Sequence, residues 1–183
     1  MKNKLIKEKI IDILLFVLDW TWCIPQTLAG TIKAKWGSGV LCKAKDASLA
    51  QIKQREKEWR VTILLFCRKS REEHWLFQKI SGSGMGRNIF LYETEPDNGE
   101  IDDPETIKHE YGHILFSRIT GPFFLPTVGI FSPMYNLIGR KKMKNGMTWP
   151  GMAKWYYSRW CERVADKLAK VDRKKWLEER GGK

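Results

Sequence analysis

His109 and His113 stand four residues apart, in the run His-Glu-Tyr-Gly-His with Glu110 between them. On a helix that interval puts both imidazoles on one face, one turn apart, where they can hold a single metal ion. Glu110 sits beside that ion at a different angle. It is therefore better placed to hold a metal-bound water and take its proton than to ligate. Gly112 removes a side chain beside the metal and lets another segment approach closely. Two of the chain's three histidines fall in this one run, which argues against coincidence.

A catalytic zinc takes three protein ligands and keeps its fourth position open for water. The remaining histidine, His74, lies upstream in Glu-Glu-His-Trp, so a carboxylate is expected as the third ligand. Glu162, in Glu-Arg-Val-Ala-Asp, is the best candidate, with Asp166 as the alternative. Asp166 follows four residues later on the same helix face and is suited to accept the N–H of a ligating imidazole and fix its orientation. Ala165 and Ala169 are small enough to let this helix pack closely against the histidine helix.

The elements that must carry these residues can be read from pattern. Asp103-Pro104-Glu105 is a helix start, with a capping Asp, Pro at the first helical position and acid near the positive end. The helix it opens runs to Arg118. Trp155, Tyr156, Trp160, Val164, Leu168 and Val171 recur at helical spacing and predict a last helix over 152–171, followed by a frayed charged tail. Residues 43–60 favour helix. Val61–Cys67, Trp75–Ile80 and Asn88–Glu93 read as strands of a small antiparallel or mixed sheet. The glycines at 82, 84 and 86 read as a turn. Their GxGxG spacing, with a strand after them, excludes a dinucleotide-binding loop. The fold class expected is α+β in a single domain over 1–183.

The pairing of His109-Glu-Tyr-Gly-His113 with Glu162-Arg-Val-Ala-Asp166 resembles the gluzincin metallopeptidases, which carry HExxH and a downstream ExxxD or ExxAD. It is also similar to a set of small uncharacterised bacterial proteins with a HEYGH helix, an apolar Gly/Pro segment and a final E-x-x-A-D helix. The resemblance covers about half the chain and leaves the first 80 residues unexplained. It implies a zincin-like fold, one catalytic Zn²⁺ and peptide hydrolysis. It also implies that Asn88, Ile89, Phe90 and Leu91 lie on an edge strand where an extended substrate pairs, a mode that is physically reasonable in itself. Gluzincins use a Tyr, His or Arg to stabilise the oxyanion. Here Tyr156, Tyr157, Arg159 and His74 are the candidates.

Charge is unevenly distributed along the chain. Residues 1–90 hold 17 Lys/Arg against 8 Asp/Glu, residues 91–105 hold none against 7, and residues 106–183 hold 16 against 6. An acidic island thus precedes the histidine helix inside a protein of net charge +12. Four Lys lead into Ile10–Leu18, but Asp12 and Asp19 interrupt the apolar run, and no clear cleavage site follows Trp22. Residues 1–36 are better read as a membrane-associated in-plane segment, with Trp20 and Trp22 at headgroup level. Ile119–Gly139 carries no charge, but its prolines and glycines argue against a regular span and favour a broken segment or a substrate-site wall. The basic cluster Arg140–Lys144 follows directly. The four cysteines form no CxxC pair and read as reduced thiols of a cytosol-facing protein.

The leading expectation is a cytoplasmic zinc metallopeptidase, at or near the cytoplasmic face of a membrane, acting on a peptide or protein. Nucleic acid is not its expected partner. The alternative is a non-catalytic, basic, Trp-rich protein that binds membrane or nucleic acid and keeps a structural or vestigial metal site.

Overall fold

A computed structural model describes residues 2–36, 40–41, 46–67, 82–93 and 104–181. Eight helices and four short strands lie among them: α1 Lys2–Thr21, α2 Ile24–Trp36, β1 Val40–Leu41, α3 Asp46–Trp59, β2 Thr62–Cys67, β3 Gly82–Met85, β4 Asn88–Glu93, α4 Pro104–Thr120, α5 Ile130–Lys144, α6 Trp149–Tyr157, α7 Trp160–Ala169 and α8 Arg173–Gly181. The class is α+β, mostly helical. The expected strand over 75–80, the acidic loop, His74 and the capping Asp103 lie outside the described residues.

The sheet is mixed, in the order β1-β2-β4-β3. β2 and β4 pair in parallel from Thr62↔Asn88 to Cys67↔Glu93. β3 pairs antiparallel with β4 from Gly82↔Leu91 to Met85↔Asn88. Two expectations are corrected here. Gly82 and Gly84 lie in a strand, and only Gly86, with φ 62°, sits in the turn that follows it. Asn88, Ile89, Phe90 and Leu91 are interior, with main-chain partners on both sides, and among the described residues the outer strands are β1 and β3.

Alternation sorts the sheet into two covered faces. Ile63, Leu65, Ile89 and Leu91 point to one side, where they form the core with Ile52 and Trp59 of α3 and Ile107 and Ile114 of α4. Phe90 is fully buried on the other side, beneath the Lys33 ammonium of α2 at 4.5 Å. Tyr111, in the middle of the histidine run, turns away from the histidines and stacks on Trp59 with ring centroids 4.4 Å apart.

The predicted last helix is two helices. The chain breaks at Ser158-Arg159, where Arg159 takes an extended conformation at the start of α7. The described part of the tail is helical, as α8. Lys170 adopts a left-handed conformation (φ 55°), and the Val171 N–H donates back to Asp166 O at 2.9 Å. That reversal lays α8 against α6 and buries Trp176 on Trp149 and Tyr157. The uncharged run after α4 is helical but irregular: a 3₁₀ turn at Gly121–Phe123, a π-helical turn at Leu125–Gly129, then α5 with Pro133 inside it.

Candidate metal centre

The centre lies between α4 and α7, which pack closely around Gly112 and Ala165. Their approach is set by Gly112. A Cβ there would stand 2.1 Å from Ala165 O, so only glycine lets the two backbones come this close. Ala165 itself is fully buried. The close crossing brings Glu162 under both histidines. Its Oε2 lies 3.0 Å from His109 Nε2 and 3.3 Å from His113 Nε2. All three side chains are buried, and the three donor atoms lie within 4.8 Å of one another.

These separations suit a small tetrahedral ion. Nitrogen and oxygen ligands about 2.0–2.1 Å from zinc at tetrahedral angles lie roughly 3.3 Å apart. Two imidazoles and one carboxylate make a donor set suited to a first-row transition ion rather than to magnesium or calcium. Among the described residues, these are the only three His, Cys, Asp or Glu side chains gathered in this way.

Behind the donors, Asp166 Oδ1 is 2.7 Å from His109 Nδ1, which fixes that ring so that its Nε2 faces Glu162. Arg173 of α8 holds Asp166 in turn, donating Nε to Oδ2 at 3.0 Å and Nη2 to Oδ1 at 2.6 Å. The guanidinium lies over the Tyr157 ring at 3.6 Å and the Trp176 ring at 4.7 Å. Sequence reading missed Arg173 because it lies in a charged tail. The one available signal was Trp176, an apolar residue at i+3. His113 has no such support: its Nδ1 is buried without a hydrogen-bond partner among the described residues.

The electrostatics follow from this packing. Burial disfavours a charge on His109, but hydrogen bonds to Asp166 and Glu162 outweigh it and push its pKa up to about 10. Burial likewise opposes the Glu162 charge, yet the His113 and His109 imidazoles hold its carboxyl well below the usual range. Burial also works against Asp166, which His109 and Arg173 lower. Cys161 lies beside Glu162, its S–H directed at Oε1 at 3.5 Å, and burial pushes its thiol up to about 12.

Glu110 is buried and stands apart from the three converging donors. Its neighbour is the edge strand. A Cβ at Gly82 would lie 2.9 Å from Glu110 Cγ, and one at Gly84 would lie 2.3 Å from Glu110 O. The glycines of β3 therefore let a strand edge lie directly on the helix at this carboxylate. On the far face of β3, Lys33 donates to Ser83 Oγ at 2.6 Å. Burial lowers the Lys33 ammonium to about 8, against the pull of Glu110.

The candidate oxyanion donors are placed differently from one another. Tyr156 is hydrogen-bonded to Ser132 Oγ at 3.0 Å, and its pKa is raised by burial and then by the nearby Glu162 charge. Tyr157 sets its ring edge against His109, centroids 5.3 Å apart, on the side of Arg173. Arg159 is turned away, donating Nε to Trp155 O and Nη2 to Ser158 Oγ.

Comparison with protein-family models, curated proteins and solved structures found no match, so the functional reading rests on the chain's own residues.

Proposed function

We propose that the chain is a zinc-dependent metallopeptidase of zincin-like architecture, with His109, His113 and Glu162 as the ligands of one catalytic Zn²⁺. The observation that carries this reading is the convergence of three buried donors on one point, with a further buried carboxylate, Glu110, on the histidine helix but outside the set. Zinc bound there supplies Lewis acidity, lowering the pKa of water and polarising a carbonyl. Glu110 takes the proton of the attacking water and returns it to the leaving amine. Asp166 keeps His109 in the ligating tautomer, and Arg173 keeps Asp166 in place. Tyr156, kept protonated by burial beside Glu162, donates its hydroxyl to the developing oxyanion. An extended peptide pairs with the outer edge of β3, which presents main chain and glycines next to Glu110.

A purely structural zinc site is expected to be closed by four protein ligands. Among the described residues the centre has three donors with a buried carboxylate alongside, which fits a catalytic site better.

Metal content and cleavage test the reading together. The parent chain should carry one zinc and cleave a peptide library, and His113→Ala should lose the zinc. Glu110→Gln should keep the zinc and lose activity about 10²–10⁴-fold. Undiminished cleavage by Glu110→Gln would overturn the role of that residue. A zinc-loaded chain that hydrolyses non-peptide amides but no peptide would keep the centre and overturn the substrate class.

A further inference from the structure

The N-terminal helices look in two directions. At about 100° per residue, Ile6, Ile10, Ile13, Leu14, Val17 and Trp20 fall on one half of α1, and each is 40–62% exposed. The two acids that break this apolar run, Asp12 and Asp19, lie on the opposite half and face arginines. Asp12 pairs with Arg60. Asp19 is 1% exposed and receives Arg118 at 3.0 and 3.1 Å, with Arg87 at 3.4 Å. Both acids, costly in contact with lipid, are thus paired on the side away from the apolar half, Asp19 buried and Asp12 exposed. Ile24, Leu28 and Ile32 extend the exposed stripe along α2.

A second apolar face runs along α5, where Ile130, Phe131, Met134, Leu137 and Ile138 are 37–58% exposed. The two faces belong to two elbows. α1 and α2 meet at 93°, and the segment through α4 meets the segment through α5 at 108°. No single helix among the described residues is long and apolar enough to cross a membrane. The elbows are in contact. Gly121 leaves room for the Trp22 indole, Gln26 Nε2 donates to Gly121 O at 3.0 Å, and the Cys23 S–H is directed at Ser117 O at 3.4 Å. Exposed cations border the apolar surface: Lys7 and Lys9 on α1, Lys141 and Lys144 at the end of α5.

We propose that the chain docks in the plane of an anionic phospholipid bilayer, with the outer half of α1 and the apolar face of α5 sunk to the headgroup boundary and the bordering lysines on lipid phosphates. Apolar surface supplies insertion, and the cations supply preference for anionic lipid. Because Asp19 grips Arg118 on the helix of His109 and His113, docking also holds the metal-ligand helix at a fixed distance from the lipid. The docking is independent of the peptidase reading, since lipid binding is measured without turnover.

The test is flotation of the full chain with phosphatidylcholine vesicles, with and without phosphatidylglycerol. The parent should float with the anionic vesicles and be released from them at alkaline pH in carbonate. Ile13→Glu with Val17→Glu, at exposed positions, should reduce the floated fraction about 10-fold. Lys141→Glu with Lys144→Glu should abolish the preference for anionic lipid. A measurement without surface charge change accompanies these: brominated lipid should quench tryptophan fluorescence in the parent, and less in Trp20→Phe. Absence of flotation, or equal flotation of the Ile13/Val17 variant with unchanged near-ultraviolet dichroism, would overturn the proposal. Retention through carbonate would replace docking with a span. A lipid-free dimer that the Ile13/Val17 variant converts to monomer would assign the face to a second copy of the chain.

Discussion

Arg173 and His109 share one oxygen. Asp166 Oδ1 lies 2.6 Å from the guanidinium and 2.7 Å from the imidazole Nδ1, so a residue in the last helix helps orient the ring whose other nitrogen faces Glu162. Arg173→Met should therefore weaken zinc binding about 10–100-fold, the usual scale for supporting partners of metal ligands. Competition with a chelator measures this. Unchanged affinity in a folded variant would reduce Arg173 to a packing residue between Tyr157 and Trp176.

Gly112 sets the distance between the two ligand helices. Gly112→Ala places a methyl 2.1 Å from Ala165 O, against backbone that can yield only by moving α7. Stability should fall by about 1–3 kcal/mol, the range for overpacking. Zinc affinity should fall with it, because the same movement carries Glu162 away. Urea unfolding and zinc titration read the two effects. A stable variant with full affinity would show that the crossing is not this tight.

The metal-free centre carries its own pH signature. The His109 pKa is raised from 6.5 to about 10, so its contribution is complete below pH 6.5 and is lost as pH climbs toward 10. The Glu162 and Asp166 pKa values are lowered, so their contributions are present above the unfolded values of 4.5 and 3.8 and vanish as pH falls. The metal-free chain should be most stable between these limits, near pH 5–6. Zinc requires neutral imidazoles, so its binding should release protons, and the zinc-induced rise in Tm should grow from pH 6 to pH 9. Thermal scans with and without zinc test the sign. A zinc-induced rise that shrinks with pH would contradict the pairing of His109 with two carboxylates.

Tyr156→Phe should keep zinc and lower kcat about 10–1000-fold while leaving KM nearly unchanged, as expected of a donor used only in the transition state. Tyr157→Phe should retain activity within a few-fold, because it keeps the ring that packs against His109. The opposite ranking would move the oxyanion role to Tyr157.

The residues of the centre were legible in the sequence because helical spacing is short-range. Four residues between His109 and His113, and four between Glu162 and Asp166, fix which side chains share a face before any tertiary contact is known. The partner strand was not legible. Gly82–Met85 has no apolar alternation, since α4 fills the space where two of its side chains would stand, and glycine runs otherwise mark turns. Arg173 was hidden for a related reason. Its role depends on a chain reversal at Lys170, where a non-glycine residue takes a left-handed conformation that the sequence does not signal. The break between α6 and α7 was obscured because aromatic residues recur on both sides of it in helical phase.

Cys161 lies against Glu162 but offers its sulfur only as a thiol, with burial holding its pKa at about 12. Thiolate is the form that peroxides attack and that soft metals capture. At neutral pH this cysteine has almost none. If His109, His113 and Glu162 hold zinc as proposed, the centre, beside a thiol kept inert, should therefore retain its ion under oxidants that strip zinc from cysteine-ligated sites.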